Sequence, residues 1–179
     1  CPRGKVMGGT SSINGMVYVR GNAHDFDEWE SLGAIGWNYQ NCLPYFKKLE
    51  NHQCISSQYS GNKGPVSISG GNNMRNPLYR AFIDAGVEAG YSETKDYNGF
   101  KQEGFGQKFM NVDRGIRASS SHAYLKQAKK RPNLTISSRA LVQRIQISGK
   151  TATGVECEIN GHTKVFNAQR EVILCAGAI

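Results

Sequence analysis

At 179 residues, with 39% hydrophobic and 20% charged side chains, the chain has the composition of one globular domain and excludes a disordered or collagen-like polymer. No apolar run approaches the ~18 residues of a membrane-spanning helix. The net charge of +8 comes from 22 basic and 14 acidic residues. The basic residues are scattered, with the densest run at 126–131, so a solvated helix end is expected there and no nucleic-acid partner. A basic surface suits an anionic lipid headgroup or a cofactor diphosphate equally well. The five cysteines, Cys1, Cys42, Cys54, Cys157 and Cys175, are odd in number and lack a Cys-x-x-Cys spacing. That usage fits a reducing compartment and gives no reason to expect zinc.

In chain order, residues 4–21 combine the Gly8-Gly9 pair with Thr10, Ser11, Ser12 and Asn14, then run into the apolar β-formers Met16, Val17, Tyr18 and Val19. A glycine pair lets backbone approach a ligand because no Cβ intervenes. The hydroxyl and amide side chains offer donors and acceptors, and neighbouring amides can form an anion nest. A Gly/Ser-rich surface turn accounts for the same composition.

A short amphipathic helix is expected over 25–32, with Asp25 and Asp27 at its positive end. A second lies within 36–50, with Leu43, Tyr45, Phe46 and Leu49 apolar. Residues 52–63 read as a polar surface loop and 66–69 as a short strand. Leu78, Phe82, Ile83, Ala85, Val87 and Ala89 give a helix ending near Gly90. A glycine-punctuated loop over 99–106 leads into a strand at 107–112 and a turn at Asp113-Arg114-Gly115.

Ser121 is expected to cap a helix over 123–130 that Pro132 stops. Strands are expected at 134–137, 140–147, 152–159 and 163–168, with Asn160-Gly161 as the hairpin turn between the last two. The apolar run 171–175 reads as a strand buried on both faces, carrying Cys175 inward. The fold class is therefore mixed α/β (α+β). His24, His52 and His122 are expected to be exposed, and no histidine spacing points to a base or a metal pair. Trp29, Trp37 and Tyr39 are expected to pack in the core rather than cage a cation.

One long pattern narrows these alternatives. Gly4, Lys5, Met7, Gly8, Gly9, Thr10, Ser11, Ile13, Asn14, Tyr18, Gly21 and Asp27 resemble, place by place, the first signature of the glucose-methanol-choline (GMC) flavin oxidoreductases. Met7 departs from the usual aliphatic set, mildly. The resemblance continues through Asp25-Phe26-Asp27-Glu28-Trp29, Gly36-Trp37-Asn38-Tyr39, Gln102-Glu103-Gly104-Phe105-Gly106 and Ala123-Tyr124-Leu125. Cys1-Pro2-Arg3-Gly4 and Arg131-Pro132-Asn133-Leu134-Thr135 are most similar to choline-oxidising members.

The resemblance implies FAD, with Val6, Gly8, Gly9 and Thr10 near its diphosphate and flavin, and Asn14, Gly15, Met16 and Val17 along the isoalloxazine. It also implies that Val142 offers its backbone to the adenine. Ile13 stands where some members carry a flavin-bonding His, so FAD is expected to be held noncovalently. By the same resemblance, 1–36 and 121–179 belong to a FAD-binding domain and 37–120 to the substrate cap region.

The implied reaction is oxidation of a small alcohol, choline above all, to its aldehyde (betaine aldehyde), with electrons passed to a respiratory or quinone acceptor. Another primary alcohol or a sugar is the competing substrate. The implied location is cytoplasmic or peripheral on the inner membrane. The resemblance implies no catalytic residue within the chain, because the family's His would lie beyond Ile179; the glycine motif that holds the ADP part of FAD in the family is also missing from the sequence. Gly177-Ala178-Ile179 looks like the opening of the second signature. The chain is expected to be an internal piece of a larger enzyme, inactive alone.

Overall fold

The computed structural model describes residues 2–177, and the chain parts into two compact units between Gln127 and Ala128. The first unit carries helices α1 (Ala23–Ser31), α2 (Tyr39–Leu49) and α3 (Pro77–Glu88). Each begins at an asparagine whose side-chain oxygen takes up an orphan backbone N–H, the ordinary device for starting a helix. Asn22 accepts from His24 at 3.0 Å while Asp25 reaches back to the Asn22 N–H at 3.0 Å, closing a capping box. Asn38 accepts from the Asn41 N–H at 2.9 Å, and Asn76 accepts from Leu78 at 3.0 Å with Pro77 pre-set in the first turn.

Two short parallel strands, β1 (Glu50–His52) and β2 (Val66–Ile68), pair Glu50 with Val66 and His52 with Ile68. Tyr18, Ile68 and Phe109 form the buried cluster, with Ile55 and Tyr97 packed against it. Glu50 sits within this core at 0% exposure. Its Oε1 accepts from the Tyr18 hydroxyl and from both Nε and Nη2 of Arg20, and its Oε2 accepts from the Gly61 N–H at 3.0 Å. Burial opposes the Arg20 charge, but the bonds to Glu50 and Tyr18 outweigh it and push the guanidinium pKa up. Burial, with the carboxylate beside it, pushes the Tyr18 hydroxyl far above its usual range. The backbone of residues 18–20 is pinned as well: Tyr18 N–H donates to Phe109 O at 2.9 Å and Arg20 N–H to Asn98 Oδ1 at 2.8 Å.

His52 is buried, contrary to the exposure expected of it, because a strand replaces the start of the expected loop. Its Nδ1 accepts from the N–H groups of Cys54 at 3.3 Å and Ile55 at 3.2 Å, so the proton sits on Nε2. That nitrogen is buried without a hydrogen-bond partner among the described residues, and the ring stands edge-on to Phe109 at 4.6 Å. Burial lowers the His52 pKa; Glu50 and Asp96 pull it upward, and Arg20 pushes it down. Above the ordinary histidine value, ~6.5, both folded and unfolded states are neutral and pH has no grip. Below it the unfolded chain takes the proton first, so stability falls as pH drops towards the lowered folded value.

The loss is at most about 1.4 kcal/mol per pH unit, the slope of one proton. His52→Asn keeps a side-chain acceptor for the two backbone donors and removes the titration. Denaturation midpoints between pH 7.5 and 5.5 should therefore fall less in His52→Asn than in the parent. Equal falls would assign the acid sensitivity elsewhere.

The rest of the first unit departs from expectation at two places. The strand expected at 107–112 is realised as single bridges from Met110 to Val17 and Ser69, then the two-residue hairpin β3 (Val112–Asp113) and β4 (Ile116–Arg117). The helix expected at 123–130 begins instead as a π-helical turn, Ser121–Leu125, and closes with one α turn, α4 (Lys126–Ala128). Ser121 lies inside the turn rather than capping it. The Ser119 hydroxyl does the capping, accepting from the His122 N–H at 3.2 Å.

The second unit is an antiparallel meander, β5 (Ala140–Ser148), β6 (Thr151–Ile159) and β7 (His162–Asn167), in that spatial order. Asn160 and Gly161 both take positive φ, 52° and 77°, as a two-residue hairpin requires. Residues 134–137 form no strand. Nor do 171–175, where Ile173 and Leu174 are 74% and 68% exposed and Cys175 is exposed. An apolar run becomes a central strand only when ladders flank it, and among the described residues none pairs with this one. Ala178 and Ile179, which complete the expected second signature, lie outside the described residues, as does Cys1.

Candidate functional site

The signature peptide folds as a turn and a single 3-10 coil, Gly9–Ser12, leading into extended backbone. Gly8 has φ 94°, and a Cβ there would stand 2.5 Å from Ser12 Oγ and 3.1 Å from Ser121 Cβ. Glycine at this position is a packing requirement. Gly9 differs: its φ is 55°, and a Cβ would meet nothing within 4 Å. A Cβ on Gly15 would likewise project into open space. Bare backbone at 9 and 15 thus faces outward, flanked by the exposed apolar side chains of Val6, Met7, Ile13 and Val17.

Hydrogen bonds fix this surface. Gly9 N–H donates to Val6 O at 2.8 Å, and Ile13 and Asn14 both donate to Thr10 O, at 3.1 and 2.9 Å. Thr10 Oγ1 accepts from Gly4 N–H at 3.3 Å. Ser120 reaches in from beyond the β3–β4 hairpin, its N–H donating to Ser11 Oγ at 3.0 Å and its hydroxyl to Gly8 O at 3.1 Å. Asn14 Oδ1 accepts from Met16 N–H at 3.0 Å and from Arg117 Nη1 at 2.9 Å. Met16 holds a positive φ of 62°, and its carbonyl accepts from Asn111 N–H at 2.7 Å. A non-glycine residue in that region is held there by its surroundings.

Val6, Gly8, Gly9, Thr10, Asn14, Gly15, Met16 and Val17 therefore come together in one ordered peptide. Arg117 and Ser120, which brace it, were not singled out from sequence; with about a hundred residues between them and the glycine pair, no local pattern announces them. Val142 lies in the second unit, on β5, 51% exposed and beside a register shift between Val142 and Arg144. β5 is an outer strand of its sheet, so one of its backbone edges is unpaired within that sheet.

The other candidates resolve into structural roles. Trp29 and Trp37 meet edge-on at 6.2 Å, and Phe26 joins Trp29 to Phe46. Both tryptophans remain about half exposed, at 49% and 56%, so they form a surface aromatic cluster rather than the core expected of them. Asp25 completes the α1 capping box, and Asp27 accepts the Tyr39 N–H at 3.0 Å. His24 is exposed and His122 half-buried, its Nε2 3.8 Å from Asp113. No group of three or more metal-ligating side chains gathers among the described residues.

Comparison with known proteins places the chain among relatives. The chain is 59% identical over 180 residues to an oxygen-dependent choline dehydrogenase of Vibrio vulnificus (strain YJ016), covering 100% of the chain and 32% of the relative. Among solved structures it resembles pyridoxine 4-oxidase from Mesorbium loti at a TM-score of 0.90 and 31% identity, over 99% of this chain and 35% of that one. It also resembles a FAD-dependent oxidoreductase from Chaetomium thermophilum at a TM-score of 0.83 and 29% identity, over 93% and 31%. The chain thus spans about a third of the length of the relatives it matches. The family model for GMC oxidoreductases matches residues 1–179, from the glycine-pair peptide through the β5–β7 meander, and the chain belongs to that family.

Proposed function

We propose that this chain supplies the FAD-facing peptide and part of the substrate cap region of an alcohol-oxidising flavoenzyme whose substrate is choline. The observation that carries the cofactor assignment is the Asn14 amide. Its oxygen is consumed by two donors, so its NH2 is the group left to face a ligand, next to backbone at Gly9 and Gly15 that no Cβ shields. Such a surface fits a flat heteroaromatic ring with acceptors on its rim, and the exposed Val6, Ile13 and Val17 side chains supply apolar contact for the ring's body. FAD, when bound, supplies a hydride acceptor.

In this reading Gly8 and the 3-10 coil keep the peptide rigid, and Thr10 orders the turn from within. Asn14, Gly15, Met16 and Val17 line the ring, while Val142 offers backbone from the edge of β5 to the adenine. Ile13 has no nucleophilic atom, so the flavin is held here without a covalent bond. Residues 1–36 and 121–179 serve the FAD-binding domain, and 37–120 the cap. The enzyme is placed in the cytoplasm or against the inner membrane, where a net charge of +8 would favour anionic headgroups.

Choline is favoured by the name of the relative at 59% identity. A different alcohol is the second reading, since the family architecture is also that of an enzyme named for pyridoxine. The acceptor is proposed to be a quinone or respiratory carrier; the relative's name, oxygen-dependent, sets molecular oxygen against it. The intact enzyme should purify yellow and turn over choline faster than other primary alcohols or sugars. With choline it should reduce a soluble quinone in the absence of oxygen. The 179-residue chain alone should hold no stable flavin. A colourless intact protein would overturn the cofactor reading, a preference for another alcohol the substrate, and turnover only with oxygen the acceptor.

A further inference from the structure

We propose that Arg117 is the positioning residue of the flavin-facing peptide, locking the Asn14 amide with its NH2 outward and keeping an unneutralised positive charge beside the ring. The inference rests on the cofactor reading above and adds to it a residue about a hundred positions away in the chain. A single nitrogen, Nη1, donates to Asn14 O at 2.7 Å, Asn14 Oδ1 at 2.9 Å and Ser11 O at 3.3 Å. Met16 N–H shares the same Oδ1. Both partners are donors without acceptor capacity, so a flipped amide would set its NH2 against two N–H groups and forfeit both bonds. The orientation of Asn14 is therefore set by Arg117 and the Met16 amide together.

The guanidinium is itself held in register. Arg117 pairs with Val112 in the β3–β4 hairpin, Ala118 N–H donates to Asn111 O at 2.9 Å, and Asn111 N–H donates to Met16 O at 2.7 Å. The chain of contacts from Met16 through the hairpin to Arg117 and back to Asn14 closes on itself. A tilt of the guanidinium is thus a tilt of the peptide. No carboxylate lies within 4.0 Å of Arg117 among the described residues, and Asp113 on the same hairpin faces Arg114 and His122 instead, at 3.5 and 3.8 Å. A cation held against carbonyl dipoles and left unpaired stabilises negative charge on a neighbouring ring, which favours the reduced form of a flavin.

The test uses the intact holoenzyme with Asn14→Ala, Arg117→Gln, Arg117→Lys and the Asn14→Ala/Arg117→Gln pair. FAD affinity and the flavin reduction potential are read alongside turnover. Arg117→Gln should weaken FAD binding roughly tenfold to a hundredfold, the worth of a charged hydrogen bond, and lower the potential. Arg117→Lys keeps the charge and loses the three-way reach of Nη1, so it should loosen FAD while holding the potential nearer the parent's. The pair should weaken binding less than the product of its singles, because both act through one amide.

An Arg117→Gln holoenzyme with parental affinity and potential overturns the inference. If that variant does not fold, Arg117→Lys decides, and parental FAD affinity there overturns it equally. Asn14→Ala with unaltered flavin affinity and spectrum overturns the cofactor reading itself, a separate outcome.

Discussion

Glu50→Ala is expected to lower stability by about 3–5 kcal/mol, the range for breaking a buried ion pair from one side. The carboxylate is fully buried and serves Tyr18, Arg20 and Gly61 at once. Its removal leaves the Arg20 guanidinium, one of whose nitrogens already lacks a partner among the described residues, as an uncompensated charge in the core. Against a typical total of about 5–15 kcal/mol, a loss of that size should appear as collapsed soluble yield of the intact enzyme and a much lower denaturation midpoint.

The physical cause can be separated from simple cavity formation. Tyr18→Phe/Arg20→Met/Glu50→Ala removes every charge and hydroxyl of the network while leaving the space that the Glu50 side chain vacates. It should recover much of the loss, though not all, because the Gly61 N–H loses its acceptor, a penalty of about 1–3 kcal/mol. If the triple variant is no more stable than Glu50→Ala, packing and not charge burial is what Glu50 provides.

The parts of this fold that sequence could anticipate are those written locally. Apolar periodicity announced α1, α2 and α3, though not the asparagines that start them, and Asn160-Gly161 announced the β6–β7 turn. What escaped depends on distant partners. Glu50 reads as the end of the second helix and His52 as the start of a polar loop, because nothing near them reveals that Arg20 neutralises Glu50 or that Val66, Ser67 and Ile68 pair alongside. The runs at 134–137 and 171–175 carry the apolar character of strands without ladders to join.

The candidate site divides the same way. The residue types of the glycine pair and Asn14 suggested an open, polar turn, a surface turn accounting for them equally well, and only the long signature resemblance singled the peptide out as a cofactor candidate. Arg117 and Ser120 bond to that peptide from about a hundred residues further along the chain, and their residue types are too common to signal it.

The two glycines of the pair should answer differently to substitution, and the difference tests what the open surface is for. Gly8→Val puts a β-branched residue at φ 94° and a Cβ 2.5 Å from Ser12 Oγ and 3.1 Å from Ser121 Cβ. Backbone strain of about 1–3 kcal/mol adds to displacement of the 3-10 coil, so apo and flavin-loaded forms of the intact enzyme should both lose stability and the flavin should be lost with them. Gly9→Ala sits at φ 55°, a region that costs a non-glycine residue only about 1–2 kcal/mol, and its Cβ meets nothing in the chain.

The apo form of Gly9→Ala should therefore melt only a few degrees below the parent, well above Gly8→Val. If the ring lies on this face as proposed, the methyl group stands between it and the backbone, so FAD affinity should drop by roughly tenfold or more, the equivalent of about 1.4 kcal/mol. Apo melting temperatures and flavin titrations of the two variants separate scaffold from contact surface. A Gly9→Ala enzyme that binds FAD as the parent does would mean that the bare face beside Asn14 is not where the ring lies.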